Sequence, residues 1–116
     1  MYMKKTQRTL ITNLNLLLKL KDWSPRRLAQ ESGVSHRMIA YILAGDRVPT
    51  VEVAEQLAAA FNLTGWLLIH PSLTPDLERV EALTEIVDAY MGANRADRDL
   101  IWSISQRVKS AEPEQD

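Results

Sequence analysis

The sequence predicts an all-α fold for this chain of 116 residues. Apolar residues recur at intervals of three and four through most of its length, which is the spacing of one face of a helix. No run of β-branched or aromatic residues alternates for long enough to predict a strand. Residues suited to helix starts and helix ends separate the apolar runs, so short turns are expected between successive helices.

The first predicted helix runs from about Thr9 to Lys21. Its apolar face consists of leucines at helical spacing, Leu10, Leu14, Leu17 and Leu18. A second helix is predicted to begin at Pro25, because Ser24 is a good N-cap and proline fits the first helical position. Trp23 is expected to pack on Leu28 and fix the direction in which the chain enters this helix.

The next elements are bounded by glycine, serine and threonine. Gly33 is expected to take the left-handed conformation that ends the second helix. Ser35 is expected to cap a third helix that ends at Gly45, and Thr50 to cap a fourth. The inward residues of these two helices are predicted to be Ile39, Ile42, Leu43, Val51, Ala54, Leu57, Ala58 and Phe61. Thr64 is expected to cap a short fifth helix, which holds Trp66, Leu67 and Ile69.

A domain boundary is predicted at His70-Pro71-Ser72, because proline disfavours helix in the residue before it. The charge balance changes at the same place. Residues 1–70 contain nine Lys and Arg against five Asp and Glu, a net charge of +4, whereas residues 71–116 contain five against ten, a net charge of −5. We therefore expect residues 1–70 to form a domain that faces a polyanion, and residues 71–116 to form a helical extension with another role.

Two helices are predicted in that extension. The first begins at Thr74-Pro75-Asp76 and ends at Gly92, and the second begins after Asn94, which forms a capping pair with Asp97. Their apolar stripes are Leu77, Val80, Leu83, Val87 and Tyr90 on the first, and Leu100, Ile101, Ile104 and Val108 on the second. Packing one stripe on the other leaves three large side chains without a place, Ile86, Met91 and Trp102. The polar tail over 110–116 is expected to fray.

The most informative segment is PRRLAQESGVSHRMIAYILA, residues 25–44. Its pattern predicts two short helices around a three-residue turn. Ala29 is small where the helices cross, Gly33 allows a positive φ at the turn, and Val34 enters the core. These features predict a helix-turn-helix, in which the second helix enters the DNA major groove while the first lies across the backbone.

The longer segment LAQESGVSHRMIAYILAGDRVPTVEVAEQLAAAFNLTGWLLI resembles the Cro and phage-repressor (Xre-type) helix-turn-helix family. The resemblance runs from about Leu10 to Ile69. It implies a five-helix, lambda-repressor-like DNA-binding domain, here followed by the two additional C-terminal helices. Leu18 and Leu43 stand where family members often carry a buried Arg–Glu pair, an exchange that costs no stability. Pro25 replaces a frequent polar residue and removes one phosphate contact.

The resemblance places the residues that read bases on the third helix and just before it. These are Ser35, His36, Arg37, Ala40 and Tyr41. Arg37 is the strongest candidate, because its forked guanidinium matches O6 and N7 of guanine. His36 either donates to a base or a phosphate or is simply an exposed polar residue, and Tyr41 reaches a base edge or a phosphate.

Phosphate contacts are predicted for Ser24, Arg26, Arg27 and Arg47. Two cations in the first turn of a helix oppose its dipole, so Arg26 and Arg27 are best explained by a nearby anion such as a DNA phosphate. The alternatives are that Arg27 pairs with Glu31 and that Arg26 is only solvated. Lys4, Lys5 and Arg8 are interpreted as a mobile arm, either along the DNA backbone or disordered without contact.

Other classes of function are disfavoured by composition. The chain has no cysteine, two distant histidines and no glycine-rich phosphate loop, so we expect no enzyme activity, no metal and no cofactor. The leucine-rich stretch near the N-terminus is broken by Asn13, Asn15 and Lys19, which excludes a signal peptide or membrane span there. A cytoplasmic location is expected.

The sequence therefore predicts a DNA-binding transcriptional regulator, in the first instance a repressor that binds a palindromic operator as a homodimer. The predicted dimer interface comprises Ile86, Tyr90, Met91, Leu100, Ile101, Trp102 and Ile104. The alternative is an antitoxin, whose acidic and apolar C-terminal helices bind a toxin protein and whose DNA binding regulates its own operon. RNA binding is a third reading, weakened by the lack of an aromatic stacking platform.

Overall fold

The computed structural model describes residues 4–71 and 77–110, without the side chains of residues 77, 78 and 80. Within these ranges every regular element is a helix, which confirms the predicted all-α class. The α-helices are α1 (Lys5–Lys21), α2 (Pro25–Ser32), α3 (His36–Ala44), α4 (Val51–Ala59), α5 (Leu77–Gly92) and α6 (Arg95–Ser110), and a 3-10 helix (Gly65–Ile69) follows α4.

The helix starts follow the predicted caps, with one exception. The hydroxyls of Ser24, Ser35 and Thr50 each accept a hydrogen bond from a backbone N–H three residues on, at 3.1, 3.1 and 3.2 Å. Thr64 makes no such bond, and the element after it is a 3-10 helix of five residues. Gly33 and Gly45 end α2 and α3 with φ of 76° and 83°, the conformation that glycine adopts without strain.

The first helix begins four residues earlier than predicted, at Lys5. Lys5 and Arg8 therefore belong to α1, and the expectation of a mobile arm is wrong for them. Gln7 gives a physical reason, because its amide nitrogen donates to the carbonyl oxygen of Gly45 at 3.1 Å. This bond holds the first turn of α1 against the end of α3.

The core lies among the N-terminal helices. It is formed by the fourteen buried apolar residues Leu10, Leu14, Leu17, Leu18, Leu28, Val34, Ile39, Ile42, Leu57, Ala58, Phe61, Leu63, Leu67 and Leu68. Trp23 packs against this core and stacks on Phe61, with the ring centroids 5.2 Å apart, while its expected contact with Leu28 stays a prediction. Leu18 is buried and Leu43 packs against the core, so both side chains have apolar surroundings.

Three apolar side chains assigned to these helices lie in solvent instead. Val51 was expected to face inward but is 76% exposed. As the first residue of α4 it projects beyond the helix end, because side chains tilt toward the N-terminus of their helix. Trp66 and Ile69 are also exposed, since a 3-10 helix turns every three residues and presents Leu67 and Leu68 to the core.

One polar side chain is buried in this core. The amide nitrogen of Asn13 donates to the carbonyl oxygens of Leu68 and His70, at 2.8 and 2.9 Å. Asn13 is 5% exposed and satisfies carbonyls that the end of a 3-10 helix leaves without an intrahelical donor. It thereby fastens the 3-10 helix to α1.

The chain divides into two compact units, Met1–Ala82 and Leu83–Asp116. The division falls within α5, beyond the boundary expected after His70. In the second unit, Asn94 Oδ1 accepts from the Asp97 N–H at 2.9 Å, which confirms the capping pair. Arg98 donates to the carbonyl oxygens of Tyr90 and Met91, at 3.0 and 2.7 Å, and closes the turn between α5 and α6.

The apolar stripe of α6 is not buried as predicted. Leu100, Ile104 and Val108 are 59%, 50% and 68% exposed, and α6 contains no buried residue. The expectation that this stripe packs against α5 is therefore wrong for these three side chains. In the described ranges, every helix is too short or too polar to cross a membrane.

Candidate nucleic-acid interface

The third helix is held in place by its inner face and presents a polar outer face. Ile39 and Ile42 are each 1% exposed and anchor α3 in the core. On the opposite side, the side chains of Ser35, His36, Arg37, Ala40 and Ala44 are exposed and that of Tyr41 is half-buried. The residues predicted to read bases therefore share one surface, which is the surface a helix must present to enter a groove.

Two arginines lie against Tyr41 within that surface. The Arg37 Nε donates to the Tyr41 hydroxyl at 3.1 Å, and the guanidinium carbon of Arg37 lies 5.6 Å from the centroid of the tyrosine ring. The guanidinium carbon of Arg47 lies at the same distance, 5.6 Å, from this ring. We call Arg37, Tyr41 and Arg47 the arginine–tyrosine cluster. Together with Ser35 and Met38, these residues line a shallow depression on the surface.

The loop after α3 brings Arg47 to this cluster. Gly45 turns the chain in the left-handed conformation, and the backbone N–H groups of Asp46 and Arg47 then both donate to the Tyr41 carbonyl oxygen, at 2.9 and 3.3 Å. The Gly45 carbonyl oxygen accepts the bond from Gln7 on α1. The position of Arg47 is thus fixed by the turn at Gly45 and by the backbone hydrogen bonds that Asp46 and Arg47 make to Tyr41.

The cluster carries two positive charges that no acidic side chain in residues 4–71 and 77–110 neutralises. The ion pair found in those ranges is Arg27–Glu31, at 2.9 Å. Two guanidinium groups beside one ring repel each other unless an anion lies between or above them. A cation over an aromatic face also gains about 0.5–1 kcal/mol at an exposed site, which partly offsets that repulsion. The electrostatic complement of this surface is an anion.

The start of α2 supplies further cationic groups. Arg27 follows the alternative left open by the sequence, because it pairs with Glu31 and its guanidinium carbon also lies 5.5 Å from the Trp23 ring centroid. An exposed pair at this spacing contributes only about 0.3–0.5 kcal/mol, so it yields readily to a phosphate. Arg26 is exposed and makes no ion pair among the described residues. The Ser24 oxygen is engaged as the cap of α2.

Sequence reasoning located the separate members of this surface but missed the contacts that position them. The spacing of Arg37 and Tyr41, four residues apart on a helix, is a signal that they meet. Gln7 precedes Leu10 by three residues and shares its helix face, which is a weak signal of an inward role. Neither pattern indicates that Arg47 reaches the same ring.

Comparison with known proteins agrees with this geometry. Residues 14–65 match the family model described as helix-turn-helix, a range that contains α2, the turn and α3 and extends from α1 to the start of the 3-10 helix. A search of curated proteins and a search of solved structures found no significant match to the chain. The helix-turn-helix match over residues 14–65 lies entirely outside the second compact unit, Leu83–Asp116.

Proposed function

We propose that this chain is a DNA-binding transcriptional regulator of the Cro-type helix-turn-helix family, whose model matches residues 14–65, and that it represses transcription by binding a palindromic operator as a homodimer. The observation that carries the proposal is the arginine–tyrosine cluster on the outer face of α3. It combines a helix anchored by its inner face with two arginines that lack acidic partners among the described residues.

The hydrogen bond between Arg37 and Tyr41 uses the Nε of Arg37 and leaves its two terminal nitrogens available to bind a base. The Nε is occupied by the tyrosine hydroxyl, whereas the two terminal nitrogens Nη1 and Nη2 take no part in that bond and match O6 and N7 of guanine. A side chain already held in one geometry loses less rotamer freedom on binding. We therefore assign guanine recognition to Arg37 and its orientation to Tyr41.

The neighbouring residues complete the proposed contact with DNA. His36 and Ser35 lie at the start of α3 and donate to base edges or the nearest phosphate, and Ala40 leaves room for a thymine methyl group. Arg47 contacts the phosphate backbone beside the groove. Arg26, Arg27 and the Ser24 hydroxyl contact backbone phosphates from the start of α2.

The homodimer is proposed for residues 71–116, and the DNA-binding domain for residues 1–70. The interface predicted from sequence comprises Ile86, Tyr90, Met91, Leu100, Ile101, Trp102 and Ile104. Its support is exposure, because Ile86, Met91 and Trp102 are 56%, 65% and 61% exposed. In a dimer of helix-turn-helix domains, the two recognition helices lie about 34 Å apart, or a multiple of that distance. We propose a cytoplasmic location, because the DNA that the dimer would bind is there.

Selection of bound sequences from a random pool of duplex DNA tests this proposal with the full chain. We expect enrichment of an inverted repeat whose half-sites are separated by about 10 base pairs, or a multiple, centre to centre. Placing the selected sequence across a promoter should then lower reporter expression in cells that produce the wild-type chain, and less so with Arg37→Ala. No enrichment, a lone asymmetric site or activation of the reporter would contradict the proposal.

A second candidate, the antitoxin, is favoured by one specific observation, the exposed apolar stripe of α6. An antitoxin uses such a surface for a different protein and needs that protein for tight operator binding. The two candidates differ in the behaviour of the purified chain. A repressor of the proposed kind binds the inverted repeat tightly on its own, whereas an antitoxin copurifies with a second protein chain and binds the repeat weakly until that protein is added.

A further inference from the structure

The sixth helix has an apolar face that is solvent-exposed in the described structure. Leu100, Ile104 and Val108 follow one another at intervals of four and are each half or more exposed. Successive residues turn by about 100° around a helix, so these three lie within an arc of about 80°. Trp102 falls on the opposite side of the helix. The stripe is therefore a narrow seam of the kind that packs against one other helix.

The charges at the two ends of this seam have opposite sign. Asp97 lies in the first turn of α6, and Arg107 lies in the last turn. Both side chains are exposed and neither makes an ion pair within the described residues. By the same helical geometry, each lies within about 60° of the middle of the stripe. The helix therefore carries an acidic end and a basic end on its apolar side.

Four of these residues occupy positions that are symmetric about one point. Val108 lies outside this symmetry, because its counterpart at position 96 is alanine. Leu100 and Ile104 lie two residues to either side of position 102, and Asp97 and Arg107 lie five residues to either side of it. A second α6 in the antiparallel direction, centred on the same position, sets Leu100 opposite Ile104 of its partner. It also sets Asp97 opposite the partner's Arg107. Both contacts then occur twice, as a two-fold axis requires.

We propose that α6 pairs in an antiparallel arrangement with α6 of a second copy of this chain, on a two-fold axis that passes beside position 102. The inference rests on the proposed homodimer and names its central contact, which includes Leu100 and Ile104 of the interface predicted from sequence but leaves Trp102 on the far side of α6. The occupant is a second copy because one seam holds both halves of a complementary surface, as a self-associating interface must. A parallel pair is disfavoured, since it sets each acidic group against an acidic group and each basic group against a basic group.

Charge reversal tests the arrangement with the full chain. Asp97→Arg alone and Arg107→Asp alone should each raise the dimer dissociation constant about tenfold, because each turns two symmetry-related attractions into repulsions. An equimolar mixture of the two variants should regain the wild-type constant, since every 97–107 contact in the mixed dimer again joins opposite charges. A defect in folding would not be rescued by mixing.

Asp99→Arg is the matched control, because Asp99 lies about 140° around the helix from the middle of the stripe. It should leave the dissociation constant within about twofold of wild type. Sedimentation equilibrium at several concentrations gives these constants. The double variant Asp97→Arg/Arg107→Asp should also dimerise like wild type, because exchanging the two charges restores the complementarity.

The pairing is overturned if the single variants self-associate as well as wild type, if their mixture does no better than either alone, or if the wild-type chain is monomeric at micromolar concentration. Its failure is distinct from failure of the proposed function. Single variants that remain dimeric and still select an inverted repeat contradict the α6 pairing alone. A wild-type chain that dimerises as described but selects no DNA sequence contradicts the repressor and leaves the pairing in place.

Discussion

Replacement of Asn13 by alanine should destabilise the N-terminal unit by about 2–4 kcal/mol. The substitution removes the donor to two carbonyl oxygens, those of Leu68 and His70, while Asn13 itself is almost wholly buried. A buried acceptor that loses its partner costs about 1–3 kcal/mol. The bond to Leu68 is buried, so losing it should cost an amount in the upper part of this range. The bond to His70 is only partly buried, so losing it should cost an amount in the lower part.

Trp23 provides the reporter for this experiment, because it stacks on the buried Phe61. In a background carrying Trp66→Phe and Trp102→Phe, both at exposed sites, Trp23 fluorescence follows unfolding of the core alone. The free energy of unfolding in water is obtained by linear extrapolation of the urea transition, with the same m-value for wild type and variant. Asn13→Asp should be at least as damaging as alanine, since its carboxylate faces the same two carbonyl oxygens.

Asn15 is the matched control, because it lies exposed on the same helix two residues further on. Asn15→Ala should change the free energy of unfolding by no more than about 0.5 kcal/mol, in either direction. If Asn13→Ala proved no more destabilising than Asn15→Ala, the role given to the buried amide would be refuted.

Gly33→Ala should cost about 1–2 kcal/mol of stability in the same urea titration, because its φ is positive although a Cβ there meets no atom within 4 Å; an unchanged free energy of unfolding would contradict the left-handed turn. Tyr41→Ala should weaken operator binding more than Tyr41→Phe, which loses the hydroxyl but keeps the ring beside both arginines. If the two variants lost the same affinity in a fluorescence-anisotropy titration, the ring would have no role in positioning the arginines. Arg26→Gln should weaken binding to all DNA sequences alike and reduce the slope of log affinity against log salt by about one, whereas Arg95→Gln on α6 should leave that slope unchanged.

Local chemistry made the boundaries of α2 and α3 predictable. A serine before each helix and a glycine after it act through hydrogen bonds and backbone angles within three or four residues, so the sequence itself contains the information. Ser24, Ser35, Gly33 and Gly45 all take the expected roles. The outer face of α3 was predictable for a related reason, since the buried Ile39 and its neighbours define the opposite face.

Contacts between distant residues were not predictable in this way. Asn13 bonds to a carbonyl 55 residues away, and Gln7 to one 38 residues away, so nothing near either residue in sequence identifies the partner. The same holds for Arg47, which reaches Tyr41 only because the Gly45 turn reverses the chain. Periodicity showed which face of α6 is apolar but carried no information about what covers it.

The most direct test of the account is a comparison of wild type and Arg37→Ala on three DNA duplexes: the selected operator, the operator with one guanine of each half-site replaced, and random sequence. Circular dichroism first establishes that the variant is folded. We predict a loss of about 1–3 kcal/mol per half-site on the operator, no discrimination by the variant at the replaced base pair, and a smaller loss on random DNA. An equal loss of affinity on all three duplexes would contradict the claim that α3 reads sequence through Arg37.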